Sequence, residues 1–190
     1  MDSLSVSWSN SSFWGTFWGQ LWVDILGGII GAFVFLFIVL WFFRPKINIA
    51  SFLCKIPHNG KNYYHFKFVN ASIFDAHDVK IELHEIKKIP MGGGQYNNTY
   101  KKLELLNSEV AYLPRKPMSW ARRDDHPHCM IVRTLNDIDG IVSDENSAVL
   151  IRISLKHGLT GLSNVFEQDY ANTNDIKPYK YKPGPKFDVI

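Results

Sequence analysis

Basic residues are missing from the start of the chain, and cysteine is scarce throughout it. No Lys or Arg precedes Arg44, although the 190 residues contain 21 of them, and Cys54 and Cys129 are the only cysteines. Two cysteines exclude a disulfide-rich scaffold, and we expect both to be free thiols. The net charge of +3 is small and scattered, so we do not expect nucleic acid as a partner.

Recognisable catalytic motifs are also missing. The glycine-rich stretch from Met91 to Gln95 lacks the Lys-Ser/Thr of a phosphate-binding loop and is interpreted as a hairpin tip. Ser163 does not lie in a nucleophile elbow, and neither cysteine has a histidine at a known catalytic spacing. We therefore predict that the protein is not an enzyme and has no cofactor.

One stretch, residues 124–129, collects side chains that can bind metals. It reads Asp-Asp-His-Pro-His-Cys, and the only other such group is Asp75, His77 and Asp78. A metal site would require strand pairing to bring the two groups together, because neither alone has a standard ligand spacing. The prediction is that no metal is bound.

The longest apolar run extends from Ile25 to Phe43 and contains no charged residue. As a helix, its roughly 19 residues would cross a hydrocarbon core of about 30 Å. A soluble core helix would carry a polar stripe, and a signal peptide would begin with basic residues and end at a small-residue cleavage site. We predict a retained transmembrane helix, residues 25–43. Because the cations follow it, the N-terminus is expected outside the cell (inner) membrane and the rest in the cytoplasm.

Two segments are expected outside this helix. Residues 1–12 are rich in Ser and Asn and predict a disordered external tail. Residues 13–24 form an aromatic interfacial segment, in which Trp14, Trp18 and Trp22 recur every four residues and would line one side of a helix at the headgroup layer. Asp24 would then lie at the outer boundary, as a solvated carboxylate or as part of an acidic ring in an oligomer.

Small residues cluster inside the apolar run. Gly27 and Gly31 are four apart, as are Gly28 and Ala32. Such small-xxx-small pairs let helix backbones approach closely in lipid. They indicate self-association, and we expect a homo-oligomer.

After Pro45 the apolar residues alternate with polar ones, which is typical of strands with one buried face. The clearest case is Tyr64, Phe66 and Phe68, separated by His65 and Lys67. Further alternating segments are Val79 to Leu83 and Val149 to Leu155, and weaker ones are Ile47 to Leu53, Tyr100 to Leu106, His128 to Thr134 and Asn164 to Tyr170. Without a convincing helix, residues 44–190 predict one all-β domain, an antiparallel β-sandwich.

Several short motifs in this domain occur in a suggestive order. Arg44-Pro45-Lys46 follows the apolar run. A Gly60-Lys61 turn and the strands FKFVN and DVKIEL come next. Near the end of the chain the sequence reads LKHGLTGLSNVFEQDY, and the dipeptides Asp-Ile and Phe-Asp follow it. Residues 44–190 thereby resemble the cytoplasmic immunoglobulin-like domain of inward-rectifier potassium channels. The resemblance implies an immunoglobulin-like sandwich that assembles as a tetramer, with Arg44 and Lys46 contacting anionic lipid headgroups.

The pore of those channels has no counterpart here, since the chain has one apolar span and no Thr-x-Gly-Tyr-Gly filter. Arg44 and Lys46 are equally explained as the cations that follow any span. Pro45 would stiffen the junction, because its φ is fixed and it lacks an N–H donor.

These features together predict a single-pass membrane protein with a cytoplasmic sensing or partner-binding module. It would be oligomeric and would couple a small-molecule, protein or lipid signal to the membrane, as a channel-like protein or a bacterial membrane effector. The alternative is a non-conducting membrane scaffold that recruits a cytoplasmic protein partner.

Overall fold

The computed structural model describes residues 11–42, 46–117, 125–158 and 161–190. The chain divides into two compact units, Met1–Phe43 and Arg44–Ile190.

The first unit is the helix α1, Ser11–Phe42. Its segment Gly15–Trp41 has a mean hydropathy of 2.6 and no protein cover. A helix that is apolar on all sides and unburied cannot be a core helix of this fold. By length and composition it is able to cross a membrane, a property that membrane spans share with signal sequences. The predicted tail lies outside the described residues except for Ser11 and Ser12, which begin the helix.

Sheet A, the first of two five-stranded sheets, is built around strand β3 (Lys61–Asn70). Strands β1 (Ile47–Ile49) and β2 (Leu53–His58) pair antiparallel with one edge of β3, and β7 (Cys129–Thr134) pairs with the other. The short strand β10 (Ile176–Lys177) runs parallel to β2. The β2–β3 turn is Asn59-Gly60, with φ of 50° and 73°; an Asn-Gly pair favours such a left-handed two-residue turn.

Sheet B is built around the long strand β4 (Ala76–Gly92). One edge of β4 pairs with β8 (Ser147–His157), which pairs in turn with β9 (Ser163–Tyr170). The other edge pairs with β5 (Gln95–Leu103) and β6 (Glu109–Leu113).

The two sheets share one hydrophobic core. Tyr64 and Phe66 of sheet A belong to the same buried cluster as Ile81, Leu83 and Ile151 of sheet B. Each such side chain contributes about 1.5–3 kcal/mol when it is fully buried. Helix α2 (Ile138–Val142) adds two buried residues to this core, and it begins at Asp137, whose carboxylate accepts the Gly140 N–H at 3.3 Å.

The main alternating segments are confirmed as β3, β4 and β8, and the weaker segments around β1, β5, β7 and β9 are also strands. The predicted strand from Ile47 to Leu53 is interrupted, because residues 50–52 are not part of a strand, and strands β2, β6 and β10 were not predicted. Further features also differ from the prediction. The domain contains the short helix α2, and the β2–β10 pair is parallel. Lys67, expected on the polar face of β3, is 1% exposed, because the C-terminal segment covers that face.

Candidate functional site

An open groove of about 590 Å³ lies on the face of sheet A that points away from the shared core. We call it the sheet A groove. It combines two cationic side chains, two histidines, two tyrosines and three aliphatic side chains. Its lining residues are Ile56, His58, Tyr63, His65, Leu106, Ile131, Arg133, Lys180 and Tyr181. Its volume lies in the range of small-molecule sites.

Strand register builds the floor of the groove. Tyr63 lies opposite Ile56 on β2, while His65 lies opposite Arg133 on β7. Directly paired residues share one face of a sheet, so these four side chains belong to the same surface. Leu106 is held at the edge of β7, since its N–H donates to the Arg133 carbonyl at 2.9 Å.

The C-terminal hairpin, residues 178–190, forms one wall. Its two sides are joined by paired backbone hydrogen bonds of 2.9 and 2.8 Å between Lys180 and Ile190. The Tyr181 hydroxyl donates to the Phe52 carbonyl, and the two rings stack with centroids 5.4 Å apart. Lys180 and Tyr181 are thereby fixed beside the groove.

Lys67 fastens this hairpin to sheet A. Its Nζ donates to the Lys182 and Lys186 carbonyls at 2.7 Å each, and it lies 5.6 Å from the centre of the Tyr181 ring. The side chain is 1% exposed, and burial lowers the pKa of its amine. An amine buried in this way needs such acceptors, because an unsatisfied buried donor is costly.

The groove is electropositive. Arg133 and Lys180 line it, and no Asp or Glu does so among the residues that the structure describes. Burial, with the nearby charges of Arg133 and Lys180, lowers the pKa of His65 to about 4. His65 is therefore neutral at pH 7, and the positive charge comes from Arg133 and Lys180.

A second open cavity of about 560 Å³ lies on sheet B, near the irregular pairing of β4. Its charged lining residues are of both signs, and Lys156 donates to Asp78 at 2.9 Å. Charges that compensate one another in this way do not select an anion or a cation. The sheet A groove is therefore the stronger candidate for a ligand site.

The sequence-predicted residues of the first unit lie on α1. A Cβ placed on Gly27, Gly28 or Gly31 would meet nothing within 4 Å, so these positions and the neighbouring Ala32 have room for another helix. Trp18 and Trp22 are 52% and 59% exposed. Trp14 belongs to the same helix, but its side chain lies outside the described residues.

The predicted junction is only partly described. Arg44 and Pro45 lie outside the described residues, and the exposed Lys46 is bound through its carbonyl to the Ala71 N–H at 2.8 Å.

The groups considered for metal binding do not converge in the described part of the chain. No three His, Cys, Asp or Glu side chains are placed to share an ion there, and Asp124 lies outside it. His126 and His128 have ring centres 6.0 Å apart. Cys54 and Cys129 are free, and burial raises the pKa of both thiols, that of Cys54 to about 11. Both are therefore protonated and poorly nucleophilic at neutral pH.

Sequence reasoning missed the residues that make the groove. Arg133 and Lys180 are 47 positions apart in the chain and carry no motif. The only local signal was the alternation in β3, which places Tyr63, His65 and Lys67 on one face.

No protein-family model matches the chain, and no curated protein matches it. The sporulation control protein Spo0M from Bacillus subtilis has a similar structure with a TM-score of 0.37 and 12% sequence identity. The match covers 70% of this chain and 49% of Spo0M, about half of that structure.

Proposed function

We propose that this protein is a single-pass membrane protein whose β-domain is a non-enzymatic sensing module for a small anionic ligand. The ligand would carry an aromatic or other flat apolar part. The sheet A groove is the observation that carries the proposal, since it sets two cations beside tyrosine and aliphatic side chains, and no carboxylate from the described part of the chain lines it.

The chemistry of such a complex follows from the lining residues. Arg133 would bind a carboxylate, sulfonate or phosphate with two parallel N–H donors, and Lys180 would add a second charge. Tyr63, Leu106 and Ile131 would contact the apolar part. His65, neutral at pH 7, would be able to donate or accept a hydrogen bond.

The membrane part of the proposal rests on α1. We propose that α1 is a retained span, that the N-terminus lies outside, and that the β-domain is cytoplasmic at the inner membrane. The lack of cations before Arg44 supports this orientation. Copies would associate through Gly27, Gly28, Gly31 and Ala32, whose surroundings are open in the single chain.

Coupling between ligand and membrane is the further part of the proposal. Arg44, Pro45 and Lys46 would transmit the signal, because they follow the apolar run directly in the sequence. The β-domain would be a counterpart of the channel domains that the sequence resembles if its sheets had the immunoglobulin-like arrangement and four copies assembled. The two sheets with one shared core are compatible with such an arrangement.

Binding of naphthalene-1-sulfonate to the full chain in lipid nanodiscs tests the proposal. Arg133→Met should weaken binding by about tenfold or more, because a hydrogen bond to a charged group contributes about 1.5–3 kcal/mol. Arg152→Met is the matched control, since Arg152 lies on sheet B and pairs with Glu167 at 2.6 Å. Equal affinity of the two variants, or equal binding of neutral naphthalene-1-methanol, would contradict an anion site in the groove.

A further inference from the structure

The outer part of the β4–β5 hairpin has no cover on either face. We call residues 87–102 the hairpin arm; every residue in it is exposed. The strand pairing nevertheless continues to Gly92 and Gln95 at the tip. A two-stranded ribbon is only marginally stable alone, so an uncovered one of this length indicates a surface that it contacts.

The distal part of the arm is uncharged and exposes four large apolar or aromatic side chains. Residues 89–100 contain no Asp, Glu, Lys, Arg or His. Ile89, Met91, Tyr96 and Tyr100 are 45%, 66%, 62% and 54% exposed. Tyr96 lies opposite Pro90 and Tyr100 opposite Ile86, so the tyrosines lie on the face of the arm opposite to that of Ile89. Tyrosine suits a boundary between a polar and an apolar phase, because its ring is apolar and its hydroxyl is polar.

Lysines surround the base of this uncharged segment. Lys87 and Lys88 precede it on β4, and Lys101 and Lys102 follow it on β5. In the paired strands Lys87 lies opposite Thr99 and Lys101 lies opposite Glu85, so both strands carry lysines at the base of the uncharged segment.

Three of these lysines have acidic neighbours, but the ion pairs are long. The distances are 3.7 Å from Lys87 to Asp144, 3.5 Å from Lys101 to Glu85 and 3.8 Å from Lys102 to Glu82. The three lysine side chains are 57–76% exposed. Exposed pairs of this kind contribute little, so the ammonium groups remain able to bind phosphates.

We propose that the hairpin arm enters the headgroup layer of a bilayer that contains anionic lipid. Ile89, Met91 and Tyr96 would lie among the upper acyl chains, and the lysines would contact lipid phosphates, which is the charge complementarity that favours this occupant. The proposal uses no residue of the sheet A groove.

Quenching by brominated phosphatidylcholine tests this in full-length protein reconstituted in nanodiscs. An environment-sensitive dye is attached to Asn97→Cys in the arm or, as the control, to Val165→Cys. Val165 lies on β9, the edge strand at the other side of sheet B, and is 56% exposed. Wild-type protein taken through the same labelling measures the background from Cys54 and Cys129.

We expect brominated lipid to remove most of the emission at position 97 when phosphatidylserine is present, and little of it at position 165. Combining Lys88→Gln with Lys102→Gln should restore the emission at position 97, since the lysines hold the arm at the charged surface. Equal quenching at the two positions would overturn the proposal. Absence of quenching at position 97, together with efficient 97-to-97 cross-linking, would also overturn it and assign the arm to a second copy.

Discussion

Replacing Lys67 by Met should release the C-terminal hairpin from sheet A. In the native protein the Lys67 amine donates to two carbonyls of the hairpin, those of Lys182 and Lys186, at 2.7 Å each. Methionine preserves most of the buried chain length but donates no hydrogen bond. The substitution therefore removes the polar contacts and leaves most of the packing in place.

The size of the effect follows from two opposing terms. The Lys182 and Lys186 carbonyls are partly buried, so leaving each without a donor costs at most about 1–3 kcal/mol, or up to about 2–6 kcal/mol for the pair. Removing a buried amine offsets part of this cost, because burial already disfavours the charged form of Lys67, as its lowered pKa indicates. We expect the free energy of hairpin opening to fall by about 2 kcal/mol, which is roughly a 30-fold change in the opening equilibrium.

Amide hydrogen exchange measures this opening directly. The N–H groups of Lys182 and Ile190 donate within the hairpin to the Asp188 and Lys180 carbonyls. Both should exchange roughly 30-fold faster in Lys67→Met, while the amide of Ile153 in the core should keep its rate.

Lys156→Met is the control for this experiment, because Lys156 makes an exposed ion pair with Asp78 outside the hairpin. Unchanged protection of Lys182 and Ile190 in Lys67→Met would refute the reasoning. It would mean that apolar packing alone holds the hairpin on sheet A.

Three further changes have defined outcomes. Tyr170→Phe removes the donor to the buried Ala50 carbonyl at 2.7 Å, so chemical denaturation should show a loss of about 1–3 kcal/mol; no loss would mean that water replaces the hydroxyl. The pKa of His65 is about 4 in the fold against an ordinary 6.5, so the unfolded chain takes up this proton first and stability should fall as pH drops from 6.5 to 4. His65→Gln should reduce that dependence, and an identical pH profile would contradict it. Gly31→Leu should reduce self-association in detergent, measured by light scattering, whereas Phe33→Leu should not; equal oligomer size in both variants would contradict association through the small residues.

The parts of the fold that sequence predicts are those set by local periodicity. Tyr64, Phe66 and Phe68 alternate with polar residues and all lie in the shared core, as do Val149 and Ile151 of β8. One buried face per strand is a local property, so it is visible in a short stretch of sequence. The composition of α1 alone likewise predicts a long apolar helix.

The candidate site depends instead on contacts between distant segments. Lys67 is one of the polar residues that alternate with apolar ones in β3, but the C-terminal hairpin, 115 positions later in the chain, buries it. Arg133 and His65 lie opposite each other because β7 pairs with β3, although strands β4, β5 and β6 of sheet B come between them in the chain. No local pattern encodes such pairings, which is why the sequence predicted strands here but no groove.

The junction residues show a different limit of sequence reasoning. Arg44 and Lys46 have two interpretations: they contact lipid as in the channel domains, or they are the ordinary cations that follow a span. In both, a cationic side chain lies near the membrane surface. Lys46 is exposed, and Arg44 lies outside the described residues, so both interpretations stay predictions.

The most direct test of the proposed function is the pKa of His65 measured by NMR in the full chain, with and without naphthalene-1-sulfonate. The pKa is held near 4 by burial and by the charges of Arg133 and Lys180. A sulfonate bound between those cations would neutralise them and favour the charged imidazolium, so the pKa should rise, and binding should tighten as pH falls. A His65 pKa unchanged by saturating probe, or changed equally in Arg133→Met, would contradict ligand binding in the sheet A groove.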